Sequence, residues 1–308
     1  GSADQATLTC NASAVSLGSG ITSQYGLIVQ QGGTFVGGTG THTIGSIKIV
    51  NSANAKCALT SGVTTLNGEH ASDNYIFTIE GANGDDNFNH NSGTVTITRA
   101  SDTRIRNAGA ALVLNNLIIN HASADITLAS NGLTCAGGLT VTAGGFGTGA
   151  DKALTVTGST TVSNGTLTLN GSTCIFNTGA TAGGLITNHA SAVVVADADS
   201  TCTFGSIALH SDGCDVRLAG TNTINKYLAS TDIIIHAMNN TVDAASAFTV
   251  TTPDAKGFAV QDTSVTLTIT PASSIAYKLE DTMNVAALTI SANASLTTLD
   301  GSSNRGLN

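Results

Sequence analysis

Leu117-Ile118-Ile119-Asn120-His121-Ala122-Ser123-Ala124-Asp125-Ile126-Thr127-Leu128 returns downstream as Leu185-Ile186-Thr187-Asn188-His189-Ala190-Ser191-Ala192-Val193-Val194-Val195, and this near-repeat decides the fold class. Each copy is an aliphatic run, a polar corner of Asn, His and Ser, and a second aliphatic run. Leu8-Thr9-Cys10-Asn11-Ala12-Ser13-Ala14-Val15-Ser16-Leu17 is a looser copy, with weaker echoes at Ile47-Lys48-Ile49-Val50-Asn51-Ser52-Ala53 and Leu288-Thr289-Ile290-Ser291-Ala292-Asn293-Ala294. Self-similarity of this kind marks architectures in which one small unit stacks on the next. Leu185, Ile207 and Ile233 begin aliphatic runs 22 and then 26 residues apart, inside the range of roughly 20 to 50 expected of solenoid repeats.

The runs themselves are strands. Thr94-Val95-Thr96-Ile97-Thr98, Leu139-Thr140-Val141-Thr142, Leu154-Thr155-Val156-Thr157, Thr166-Leu167-Thr168-Leu169 and Val265-Thr266-Leu267-Thr268-Ile269-Thr270 alternate an aliphatic residue with Thr. A period of two with β-branched residues is the pattern of a strand with one buried face. Asn164-Gly165, Asn170-Gly171, Ala143-Gly144-Gly145 and Ala219-Gly220 punctuate them with residues that tolerate the positive φ of tight turns. No amphipathic helix of three turns is present in the pattern. The expected fold is all-β: a single-stranded parallel β-helix, or β-solenoid, with coils of roughly 22–26 residues and the right-handed winding that parallel crossovers favour. An antiparallel β-sandwich pair is the rival arrangement. One such solenoid is expected to occupy 1–308, with a loop protruding at 69–92 and a polar tail at 301–308.

Composition agrees with stacked coils. Of 308 residues only 10% are charged, against about 25% in an ordinary domain. Identical charges stacked every 4.8 Å or so would repel. There are 35 Gly, 2 Pro and no Trp, while 41% of residues are hydrophobic, so the core is thin and aliphatic and the chain turns on Gly and Asn. The net charge of −9 leaves no positive stripe for phosphates, which argues against nucleic acid. No apolar run approaches the 18 or more residues of a membrane helix, so no membrane span is expected.

Six cysteines, Cys10, Cys57, Cys135, Cys174, Cys202 and Cys214, lack zinc spacing and lie in or beside apolar runs. They read as small buried hydrophobes with free thiols. His189, His210 and His236, 21 and then 26 residues apart, each close an aliphatic strand. On consecutive coils they would share an edge, either as a column of polar corners or as imidazoles close enough to hold a metal ion. The segment from Glu69 to Ser92 carries Asp73, Tyr75, Phe77, Glu80, Asp85, Asp86, Phe88 and His90 in a chain poor in acids and rings, with Arg99, Asp102, Arg104 and Arg106 following. Tyr75, Asp85, Asp86, Arg104 and Arg106 are the candidate contact residues. Gly81-Ala82-Asn83-Gly84-Asp85-Asp86 is a single copy of a Gly- and Asp-rich phrase and lacks the neighbouring turn that would complete a calcium cage. No cofactor is implied. Asp197 and Asp199 are the one close acid pair at a strand end that paired-carboxylate chemistry would use. Thr-x-Thr pairs recur without the constant interval that an ice-binding face requires.

The phrases Gly165-Thr166-Leu167-Thr168-Leu169-Asn170-Gly171 and Leu154-Thr155-Val156-Thr157-Gly158 resemble the irregular repeats of phage tail-fibre and tailspike β-helices and of bacterial adhesin passengers. That resemblance implies a structural protein of the virion surface, a rigid stalk or host-binding element that contacts a host-surface glycan or protein. It implies a homo-oligomer, trimeric in many fibres, and no enzyme. A secreted adhesin and a polysaccharide-degrading β-helix are the alternatives. Six cysteines favour a virion protein folded in a reducing cytoplasm over a passenger exported unfolded.

Overall fold

A strand that alternates aliphatic residues with Thr buries one row of side chains and leaves its backbone hydrogen bonds to a neighbour. In a computed structural model those neighbours are parallel strands one repeat away. The structure describes residues 7–10, 14–17, 25–68, 73–176 and 184–205, and beyond these only backbone strands between 207 and 298, with Gly205 the last residue before them. The chain divides into two units, Gly1–Leu154 and Thr155–Asn308.

In the first unit three sheets form. One aligns Thr7–Thr9, Thr34–Val36, Lys56–Ala58 and Phe88–Asn89. A second aligns Val15–Leu17, His42–Ile44, Val63–Leu66, Thr94–Ile97 and the start of Asn116–Ser130, and carries a further ladder of Leu27–Val29, Ile47–Ile49, Tyr75–Ile79 and Thr103–Asn107. The third pairs Leu112–Leu114 with Leu133–Cys135. Ladders in different sheets advance by similar steps: 22 residues from Thr34 to Lys56 and from His42 to Thr64, then 31 from Cys57 to Phe88 and from Thr64 to Val95. The longer step accommodates a five-residue helix, Ala82–Asp86.

The second unit repeats the scheme. Leu185 pairs with Ile207 and Ala208 with Ile234, so the runs whose spacing sets the repeat in sequence are ladder neighbours. Thr173-Cys174-Ile175-Phe176 lies in register with Thr201-Cys202-Thr203-Phe204, placing Cys on Cys and Phe on Phe. The two phenyl rings are fully buried and stack 5.1 Å apart, 7° from parallel.

The core of both units is the inward row of these strands, for example Ile44, Leu66, Ile97, Leu117 and Val141 in the first and Leu167, Cys174, Val194 and Phe204 in the second. All-β parallel structure is therefore observed. Asn residues close the corners in place of Pro: Asn91 donates to the Leu59 carbonyl, Asn115 to that of Ser92 and Asn131 to that of Asn107, each reaching a different turn of chain. Tight approach at the corners excludes side chains. Gly144 has φ +77, and a Cβ there would stand 2.2 Å from the His121 carbonyl oxygen.

Candidate binding face

The site is built on the second ladder of the first unit. Ile47, Ile49, Phe77, Ile79 and Ile105 point into the core, so their strand neighbours Lys48, Thr78, Arg104 and Arg106 share the opposite face. The register runs Ile28, Lys48, Thr78, Arg106 across four strands. Period two alone would turn Tyr75 inward with Phe77. Instead Arg104 pairs with Tyr75 and Ile105 with Phe77, leaving Ile76 as an extra residue. Such a bulge shifts the phase of the strand by one. Ile76 and Phe77 are both buried, and Tyr75 emerges half-buried on the face that carries Arg104.

Two cations on this face lie over tyrosines. The Arg106 guanidinium carbon is 5.7 Å from the centre of the Tyr75 ring, and Lys48 Nζ is 5.6 Å from that of Tyr25. Lys48 also donates to Glu80 at 2.5 Å. Burial pushes the Tyr25 phenol well above its ordinary range, and Asp73, Glu80 and Tyr75 add to the shift while Arg106 opposes it. Each of these four groups therefore lies within charge range of Tyr25. The Thr78 hydroxyl is buried and has no hydrogen-bond partner. Arg104 is exposed. Among the described residues, neither arginine meets a carboxylate.

Of the residues singled out in sequence, Tyr75, Arg104 and Arg106 come together here. Asp85 and Asp86 do not. Asp85 accepts from Asn107 Nδ2 at 2.6 Å beside the short helix, and Asp86 lines a separate groove with Lys56 and Phe88. The loop expected at 69–92 is different in its described part: Tyr75–Ile79 and Phe88–Asn89 are ladder strands, with Ile76, Phe77 and Ile79 in the core and the half-buried Phe88 ring edge-on to Phe77. Tyr25 and Lys48 escaped the sequence reading, since they lie far upstream and join the site only through the ladder step.

The other candidates resolve locally. His189 Nδ1 accepts the Ser191 backbone N–H at 3.0 Å, His90 Nδ1 that of Ser92 at 3.0 Å, and His121 Nδ1 that of Ser123 at 3.4 Å. Asn-His-x-Ser is thus a corner motif in which imidazole does what an Asn or Asp side chain does in an Asx-turn. Asn89-His90-Asn91-Ser92 is a third copy that the repeat search passed over. His210 and His236 lie outside the described residues, and among the described residues no three His, Cys, Asp or Glu converge to hold a metal ion. Asp197 accepts from Ser200 Oγ at 2.7 Å and the Gly171 N–H at 2.7 Å, which lowers its pKa, the Ser200 bond most. That carboxylate is a corner brace, joining Gly171 to the turn at Ser200. Cys10, Cys57, Cys135, Cys174 and Cys202 are buried thiols not joined in disulfides. Comparison with protein-family models, with curated proteins and with solved structures returned no match.

Proposed function

We propose that the parallel sheets wind as one right-handed β-solenoid and that the chain is a structural, surface-exposed protein of a phage virion, tail-fibre or tailspike-like. In this reading it is a rigid homotrimeric stalk that also contacts the host surface. The observation that carries the reading is the similar step of ladders in different sheets, which is how strands behave when a chain coils and each turn lies on the last. Backbone hydrogen bonds then run along the axis and make a stiff rod from a thin aliphatic core. Buried cysteines not joined in disulfides support assembly in a reducing compartment and weigh against the secreted-adhesin alternative. The engagement of Asp197 in a corner favours the structural reading over a polysaccharide-cleaving one.

Two measurements test the proposal. Light scattering is expected to give three times the 30.7 kDa of one chain, and the purified protein is expected to bind bacterial surface polysaccharide or whole cells saturably without releasing reducing sugar. A monomeric mass or the absence of surface binding would reject it, as would release of sugar ends.

A further inference from the structure

We infer that the face carrying Tyr75, Arg104 and Arg106 binds a carboxylate-bearing saccharide, with the acid group on the two guanidiniums and sugar hydroxyls on Thr78 and Glu80. The inference rests on the reading of the chain as a surface-binding element and gives that element a ligand class. Four observations lead to it.

Arg104 and Arg106 are two apart on one strand, so they project from the same face with Cα atoms about 6.5 Å apart. Neither has a carboxylate partner among the described residues, although the chain has 20 acids to 11 bases and nearby Lys48 is paired with Glu80. Arg106 is held over the Tyr75 ring. A guanidinium that lies over a ring uses its face and keeps its in-plane N–H donors for a carboxylate fork, already oriented. Thr78 sits in register between Lys48 and Arg106 with a buried hydroxyl that nothing satisfies. Such a group carries a desolvation cost that a ligand hydroxyl relieves once the Lys48 side chain moves aside, with Arg106 staying over Tyr75. Finally, Glu80 is paired with Lys48, two rungs from Arg106 in the same row. It repels a polyphosphate or an acidic peptide, whereas a sugar with one carboxylate per ring among many hydroxyls gives the acid to the arginines and hydroxyl donors to Glu80.

Tyrosine emission gives a direct readout, because the chain has four Tyr and no Trp. Trigalacturonate or sialyllactose, titrated into the full chain at low salt, is expected to change the emission saturably, while maltotriose and lactose leave it unchanged. Arg104→Ala removes an exposed side chain, preserves the far-UV spectrum and is expected to weaken binding about tenfold or more. Arg104→Lys keeps the charge without the fork and restores only part of the loss. Thr78→Val replaces the unsatisfied hydroxyl by a methyl, keeps the fold and weakens binding several-fold. Lys152→Ala, which removes a positive charge elsewhere, leaves affinity unchanged. The inference is overturned if neither acidic probe binds, if neutral sugars or hexaglutamate bind equally well, or if Arg104→Ala binds like the parent chain. Cell-surface binding that persists unchanged in Arg104→Ala would sink this site alone and leave the surface-binding reading standing. Loss of all surface binding by the parent chain would sink that reading itself.

Discussion

The side chain of His189 illustrates how polar residues are used in this molecule. Its Nδ1 lone pair closes a corner by accepting the Ser191 N–H. His189→Ala is expected to cost about 0.5–1 kcal/mol, the usual net value of such a bond, whereas His189→Asn, which supplies an oxygen in nearly the same place, should cost less. Urea midpoints of the two variants check this, and equal losses would show that the imidazole packs without capping. Asp197 makes a pH-dependent contribution of known sign. Its pKa is lowered in the folded chain by Ser200 and Gly171, so its stabilisation is fully present above the ordinary carboxylate range and fades as pH falls through the folded value. The group is exposed and screened, so the effect is well under about 1 kcal/mol. It is read as the loss of part of the acid-limb slope in Asp197→Asn.

Strands and corners are where sequence and structure can be compared. Alternation located strands such as Thr94–Ile97 and Leu139–Gly147 because burying one face leaves a period of two. It failed at Tyr75–Ile79. There the Ile76 bulge breaks the period, and the density of acids and rings resembled a loop. The candidate site was half legible: Tyr75, Arg104 and Arg106 belong to a stretch unusually rich in acids, rings and arginines, but Tyr25 and Lys48 stand outside it and reach them only through register. In-register stacking makes firm predictions for single elements. Phe204 is fully buried against Phe176, so Phe204→Ala is expected to cost about 3–5 kcal/mol, while Phe204→Leu should cost distinctly less. Gly144→Ala adds both left-handed strain and a backbone clash at the His121 corner. It is expected to cost at least about 2 kcal/mol, and a change below the scatter of replicate midpoints would mean the corner can open freely.

For the molecule as a whole, cysteine chemistry reports global unfolding. Burial raises the Cys57 and Cys135 thiols from 9.0 to about 12. The folded chain holds those protons where the unfolded chain releases them, so stability falls as pH rises through the interval between about 9 and about 12. Unfolding at pH 7 and pH 10 measures the slope. A thiol reagent is expected to spare the five described cysteines in the native protein and to titrate six per chain in denaturant without reductant. Fewer than six would reveal a disulfide. The amino-acid sequence by itself determined that this chain is β, that its strands recur at about two dozen residues, and that its core is largely aliphatic. These follow from local periodicity and from the penalty on stacked charge, both written residue by residue. Only the tertiary structure decided which residues share a face, because a one-residue bulge inverts a strand. Ladder steps of 20, 30 and 28 residues set Ile28, Lys48, Thr78 and Arg106 in one row from four separate stretches of chain, with Tyr25 against Lys48, a proximity that no local pattern encodes.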